Sequence, residues 1–344
     1  MDANVFEEIR LRQFSQKVLC KLGVSEKDSE IVTDTLICAD KRGINTHGIG
    51  KLDNYTERIE AKVLSPENNL VVERENAVTA TINANNGFGQ VAGYRAMEKS
   101  IEKAKAYGIG MVSVNNSNHY GIASYYALMA AEQKLIGISA SNASPAIAPF
   151  GAKEKMFGTN PIAVAVPSKT GFSITLDMAS TVVARGNIRQ ALSAGKEIPL
   201  GWARNKDGVP TTDPVAALEG TLEPIAGHKG SGLALMLELL CGVLSGSSLP
   251  GEVCVITDTS QPCRTGHLLL AISPGYFTSS EQFFDNIDET ISRIKNLTEV
   301  SGEIFLPGEI EYYRAVKSNS EGIQLKASGV KSLEALSQKY CIPL

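Results

Sequence analysis

The hydrophobic period of this chain changes twice, and that change limits the folds open to it. Residues 4–21 and 26–42 repeat apolar side chains every three to four positions, and a third such stretch runs over about 50–63. This period belongs to helices with one buried face. From ENAVTATINAN (75–85) onward the pattern becomes alternation and short apolar runs. IGMVSVNN, IGISASN, PIAVAVPS, FSITLDMA and HLLLAISP all read as strands. Helical stretches at 90–108, 121–134, 181–195 and 229–246 lie between them. The helical period then returns over 279–297 and, after an LPG turn, from 309 onward. Ser25 with Asp28 resembles a capping box, and Gly43 and Gly108 read as helix stops. The expected fold class is α/β (α+β). A mixed-sheet domain over 74–309 would carry the cofactor and substrate sites, and a helical domain would form from both chain ends, 1–73 plus 310–344.

Composition narrows the function classes. The 344 residues carry 33 basic and 37 acidic side chains, a formal charge of −4, with no basic stripe, so nucleic acid is not an expected partner. The longest apolar stretch, Leu233 to Leu244, is too short to span a bilayer and contains Glu238, so no membrane partner is expected either. The first residues, MDANVFEEIRLRQF, read as an amphipathic helix rather than a signal peptide. The six cysteines show no metal-ligand spacing, and Cys20, Cys38 and Cys241 read as small core residues. The expectation is a reduced, cytoplasmic protein without a metal site.

GFGQVAG (87–93) follows a strand and opens a helix, the context of a dinucleotide-binding turn. Its spacing is G-x-G-x-x-x-G, one residue too long, and the next strand ends in Asn115 and Asn116 rather than in an acid that would hold a ribose. It reads as a tight strand-to-helix turn with close packing, not as part of a Rossmann domain.

Three of the four histidines sit in short runs of Gly, Asn, Thr, Ser and Lys beside helical segments: THG at His47, SNHYG at His119 and GHKGSG at His228. Histidine is the side chain most readily tuned to move a proton near neutral pH. His47, Lys51 and Tyr55 are spaced i, i+4, i+8, so a helix starting near His47 would put all three on one side. A proton donor, a cation and a phenol together suit a small carboxylate with a reacting carbonyl. His119 lies between a buried strand and a helix, and Ser117 or Asn118 could cap that helix. Asp177 stands in the otherwise apolar strand FSITLDMAS, where a carboxylate needs an imidazole or N–H partner. It pairs with FGTNP, whose Asn160 is a candidate substrate contact. GHKGSG opens the most apolar helix, and its glycines, helix terminus and Lys229 would suit a phosphate. His267, in RTGHLLLAIS, reads as structural.

At these motifs the chain resembles the type-2 malate/L-lactate dehydrogenase family. The resemblance runs nearly end to end, through THGIGK, NHYGIASYY, APFGAKEKMFGTNPIAVAVPS, LDMAS, GWARNKDGVPTTDP, HKGSGLALMLELLCGVLSG and LPGEIE, and it is strongest to the malate/sulfolactate branch. It implies a non-Rossmann fold, a homodimer, and hydride transfer between NAD or NADP and a 2-hydroxy acid / 2-oxo acid pair. By resemblance His47 or His119 is the general acid/base and Asp177 the supporting carboxylate. Lys51, Tyr55 and Asn160 go with the substrate. Thr175, Leu176, Asp177, Met178, Ala179, His228, Lys229, Gly308 and Glu309 go with the cofactor. Three positions depart from the family pattern: Lys51 for Arg, Asn187 for Lys and Ser231 for Tyr. A reductase of a cyclic imino acid or of a sugar-derived 2-oxo acid is the alternative within the family. An inactive structural dimer is the alternative outside enzymes.

Overall fold

In the computed structural model, which describes residues 4–300 and 302–344, the strand segments assemble into one mixed seven-stranded sheet. The N-terminal part runs β1 (Val5–Phe6), α1 (Glu8–Lys21), α2 (Glu26–Lys41) and α3 (Leu52–Glu60). The body follows as β2 (Val71–Glu75), β3 (Thr79–Asn83), α4 (Gly89–Tyr107), β4 (Ile109–Ser117), α5 (Ala123–Glu132), β5 (Ile136–Ser141), β6 (Ile162–Val166) and β7 (Ile174–Met178). Next come α6 (Arg185–Ser193), β8 (Ala203–Arg204), α7 (Pro214–Glu219), β9 (Thr221–Leu222) and α8 (His228–Leu237). The chain ends with β10 (Thr265–Ile272), α9 (Ser280–Lys295), α10 (Glu309–Glu321), β11 (Ile323–Gln324) and α11 (Ala327–Tyr340).

The sheet order is β2-β3-β4-β10-β5-β6-β7, parallel only at β3–β4 and antiparallel elsewhere. A late strand therefore enters the middle of a sheet built from earlier ones. His267 sits on that strand, fully buried, opposite Val114 on one side and Ser141 on the other. Its Nδ1 lies 2.9 Å from Ser141 Oγ, its Nε2 lies 2.8 Å from Ser117 Oγ, and its ring stacks on Tyr120 at 4.5 Å. Burial lowers its pKa to about 3, so it is a neutral structural histidine, as its sequence context suggested.

Two large cores and two smaller clusters hold the described residues. One large core packs α4 and α5 on the sheet through Met97, Ile101, Tyr126 and Leu269. The other gathers Leu11, Phe14, Leu36, Ile37 and Ile59 from the first helices with Ile323, Leu333 and Leu336 from the chain end. β1 pairs with β11, closing the two ends on each other. Ser25 Oγ accepts the Asp28 N–H at 3.2 Å, and Gly43 and Gly108 take φ of 79° and 87° at the ends of α2 and α4.

Several local expectations change. β2 has no buried residue to mark it: VVERE is exposed throughout, an edge strand whose charges discourage further pairing. The apolar helix over 229–246 is two pieces, since α8 widens into a π-helical turn at Glu238–Val243. Cys20 is exposed rather than core, Cys38 is half-buried, Cys241 is buried, and all six cysteines are free. Among the described residues no helix is long and apolar enough to cross a membrane.

Candidate active site

The turn after α2 is organised from below by Asp40. Its buried carboxylate accepts the Ile49 N–H at 2.6 Å and the Asn45 side-chain amide at 2.8 Å, and burial raises its pKa to about 6. A Cβ added to Gly48 would lie 2.0 Å from that carboxylate, so only glycine fits there. Gly48 is extended, with φ −83° and ψ −161°, and separates two short 3-10 turns, Asn45–His47 and Ile49–Lys51. α3 starts only at Leu52, so His47, Lys51 and Tyr55 do not share one helical face as their spacing suggested. His47 is half-buried, with Nδ1 2.9 Å from Thr46 Oγ1, whereas Tyr55 turns into the core.

Tyr55 instead meets the second histidine. Its hydroxyl lies 2.8 Å from His119 Nδ1 and accepts a hydrogen bond from Gln90 Nε2 at 2.6 Å. With Gln90 donating, the phenol proton goes to Nδ1, which leaves the ring proton of His119 on Nε2. Gln90 Oε1 is buried without a partner. The His47 and His119 rings stack with centroids 5.4 Å apart and 19° between planes. Protein packed behind them disfavours the charged form even though each ring keeps an edge open. Burial, then the charge of Lys51, lowers the His47 pKa to about 4; burial, then His47 and Lys51, holds His119 well below the ordinary imidazole range. At neutral pH both are uncharged bases.

The glycine-rich turn supports this pair. β3, α4 and β4 form a parallel β-α-β unit, the setting of a dinucleotide fingerprint, yet the turn faces protein. A Cβ on Gly89 would lie 2.2 Å from the Asn118 carbonyl oxygen and 2.6 Å from that of His119. Two carbonyl oxygens repel a phosphate, so close packing, not cofactor binding, explains the glycine. Asn118 holds the turn from the other side by donating to the carbonyls of Asn86 and Gly87 at 3.1 and 2.9 Å. Neither it nor Ser117 caps α5, because Ser117 bonds His267 and the α5 N-cap, Ile122, has no side-chain hydrogen bond.

Asp177 is placed apart from this pair. Its Oδ2 accepts the Ser124 N–H at 3.0 Å, at the start of α5, and it has no hydrogen bond to either histidine. Asn160, expected at the substrate, is fully buried. Its oxygen accepts the Ala143 N–H, and its nitrogen donates to the Ala234 carbonyl and to Glu238, all at 2.9 Å. Glu309 is likewise buried, bound to Lys295 at 2.7 Å and to the Leu306 N–H at 2.8 Å.

The expected cofactor positions fall along one sheet edge. β7 is the last strand, and its Leu176 is 43% exposed. Thr175 N–H donates to the Pro307 carbonyl, and a Cβ on Gly308 would lie 2.8 Å from Thr175. Residues 180–182 hydrogen-bond to Glu223 and Ile225, which brings the turn before α8 beside the end of β7. His228 and Lys229 are exposed at the first residues of that helix. An open apolar strand next to a helix N-terminus with a lysine fits a dinucleotide, apolar for the rings and positive for the phosphates.

Asp40, Thr46, Gln90 and Ser124 were not singled out in the sequence. The signal for Gln90 lay inside the glycine-rich turn, where a polar residue begins an apolar helix. That for Asp40 was an acid within the buried stripe of α2.

A family described as malate/L-lactate dehydrogenase matches residues 6–334. The malate/(S)-sulfolactate dehydrogenase of Methanothermus fervidus is 40% identical over 328 residues, covering 95% of this chain and 96% of that one. The crystal structure of malate dehydrogenase from Entamoeba histolytica superimposes with a TM-score of 0.94 at 33% identity, covering 99% of both chains. The ureidoglycolate dehydrogenase (NAD(+)) of Escherichia coli K12 is 36% identical, covering 92% of this chain and 90% of its own length. The (2R)-3-sulfolactate dehydrogenase (NADP(+)) of Chromohalobacter salexigens is 31% identical, covering 91% and 92%.

Proposed function

The chain belongs to the malate/L-lactate dehydrogenase family, and from that premise we propose that it interconverts a 2-hydroxy acid and its 2-oxo acid with NAD or NADP. The best-matching pairs are malate/oxaloacetate and sulfolactate/sulfopyruvate. The observation that carries the reading is the stacked pair of uncharged imidazoles, His47 and His119, beside Lys51. Thr175, Leu176, Met178, Ala179, His228, Lys229 and Gly308 would hold the cofactor. When bound, its nicotinamide supplies or accepts the hydride. Asp177 stays at that edge through the α5 terminus and acts on the site indirectly.

The chain's own residues handle the proton and the carboxylate. In reduction an imidazole gives its N–H proton to the 2-oxo oxygen, and in oxidation the hydroxyl proton returns to that nitrogen. For His119 that nitrogen is Nε2, and the Tyr55 proton moves onto Nδ1 as Nε2 gives up its own. Lys51 neutralises the substrate carboxylate as a point charge. Tyr55 and Gln90 fix the tautomer of His119. Asn160 holds the loop before β7 in place rather than touching substrate. The exposed Leu239, Leu240 and Leu244 at the π-helical extension of α8 support a homodimer, and a cytoplasmic location is part of the same proposal.

The decisive measurement is kcat for His47→Ala and His119→Ala with oxaloacetate and NADH. Loss of general acid–base help lowers kcat by roughly 10²–10⁴-fold in the variant that lacks the proton carrier. A drop below about tenfold in both variants removes the assignment. A parallel panel with pyruvate, sulfopyruvate and a cyclic imino acid, each with NADH and NADPH, separates the substrate classes.

A further inference from the structure

A groove of about 620 Å³ opens against the histidine turn, lined by Thr46 and Lys51 of that turn, by Gly186, Arg189 and Ser193 of α6, and by the start of α11. Lys51 and Arg189 both line it. Arg185 lies one helical turn before Arg189, on the same side of α6. The helix is pressed onto the histidine turn, since a Cβ on Gly186 would lie 2.9 Å from the Thr46 methyl. Among the described residues Lys51, Arg185 and Arg189 form no ion pair, whereas the carboxylates of the groove have partners. Asp40 binds Ile49 and Asn45, and Asp53 binds Asn54 and Ser332. Burial and then the nearby Arg189 charge lower the pKa of Arg185, and burial with Arg189 lowers that of Lys51 against the pull of Asp53. Unpaired cations crowded at one groove, in a chain of net charge −4, call for an anionic ligand with more than one charge.

We propose that Arg189, supported by Arg185, binds a second anionic group at the far end of the substrate while Lys51 holds the carboxylate next to the reacting carbon. The inference rests on the 2-hydroxy acid reading above and gives the distal carboxylate or sulfonate of its two substrate pairs a binding residue. A substrate ending in a methyl group leaves the guanidinium without its anion. Arg189 is then a specificity residue, exposed on α6 and unnecessary for the fold.

The test compares oxaloacetate with 2-oxobutyrate, which has the same chain length without the distal charge. In Arg189→Gln the ratio of kcat/KM for oxaloacetate to that for 2-oxobutyrate falls roughly tenfold, the effect of one half-exposed charge-assisted contact. Arg189→Lys recovers part of the ratio. A ratio within about twofold of wild type overturns the proposal, because a structural role lowers both substrates together. A rise in the KM for NADPH with the ratio unchanged also overturns it and assigns the cations to the cofactor. If the unaltered protein reduces neither of these acids nor sulfopyruvate or pyruvate, the 2-hydroxy acid reading fails by itself, and binding decides the groove. Succinate then raises Tm more than butyrate does, and Arg189→Gln erases the difference. Equal shifts for the two ligands overturn the proposal.

Discussion

Tyr55 links two parts of the chain that are 64 residues apart, since its hydroxyl stands between Gln90 and His119. Tyr55→Phe leaves a buried amide N–H and an imidazole nitrogen unpaired, each costing about 1–3 kcal/mol. It also frees the His119 ring from one tautomer. The expected outcome is a kcat at least about tenfold lower with oxaloacetate and a small change in KM, with Tm lowered; an unchanged kcat takes Tyr55 out of the proton path. His47, His119 and Lys51 were legible as site candidates because each stands in a polar, glycine-rich run where a core residue has no place. The partnership of Tyr55 was not. Spacing put it with His47, but the break at Gly48 turns it inward, and that break depends on Asp40, whose carboxylate binds across nine residues. Asn160 was misplaced for a similar reason. Its hydrogen-bond partners, the Ala143 N–H, the Ala234 carbonyl and the Glu238 carboxylate, are 17 to 78 residues away, so nothing local marks it as buried.

At the scale of elements, strands with an alternating or apolar signature were legible, and those without one were not. β2 is an exposed, charged edge, and β1 and β11 are two residues each, so none has a period to read. The π-helical turn was hidden because a helix and its widened form share nearly the same apolar spacing. Its product is visible in Glu238, which is buried and accepts from the Gly158 N–H and Asn160 at 2.9 Å. The central strand β10 makes a testable claim about pH. His267 has a folded pKa of about 3 against an ordinary 6.5. Between those values the unfolded chain binds a proton that the folded chain does not, so this group's contribution to stability is full above 6.5 and is lost as pH falls. Each pKa unit corresponds to about 1.4 kcal/mol. Asp40, raised to about 6, works in the opposite sense: its ionisation lowers stability as pH rises from about 4 to 6. The comparison of variant with wild type therefore isolates His267. In His267→Gln the fall of Tm between pH 6.5 and 4 should be shallower than in wild type; parallel curves would show that the histidine is not held neutral.

At the scale of the whole molecule, an apolar stripe along α8 and its extension lies open. Met236, Leu239, Leu240, Val243 and Leu244 follow helical spacing along α8 and its π-helical extension, and each is 39–56% exposed, while Ala234, Leu237 and Cys241 on the opposite side are buried. An apolar stripe of this length on the outside of a protein marks a contact surface. Leu240→Asp combined with Val243→Asp should convert a dimer into a monomer by light scattering, with α-helical circular dichroism retained. A wild-type mass of one chain would dispose of the homodimer. The pairing of β1 with β11 has a consequence for the making of the protein. Asn45 donates to the Gln324 carbonyl at 3.3 Å, and Gly50 packs on Gly329, where an added Cβ would come within 3.2 Å of the backbone. The histidine turn therefore has no complete wall until residues 323–329 have emerged. During synthesis at about 5–20 residues per second the sheet strands are available first. A chain in which residues 323–329 have not yet docked lacks this wall around the histidine turn.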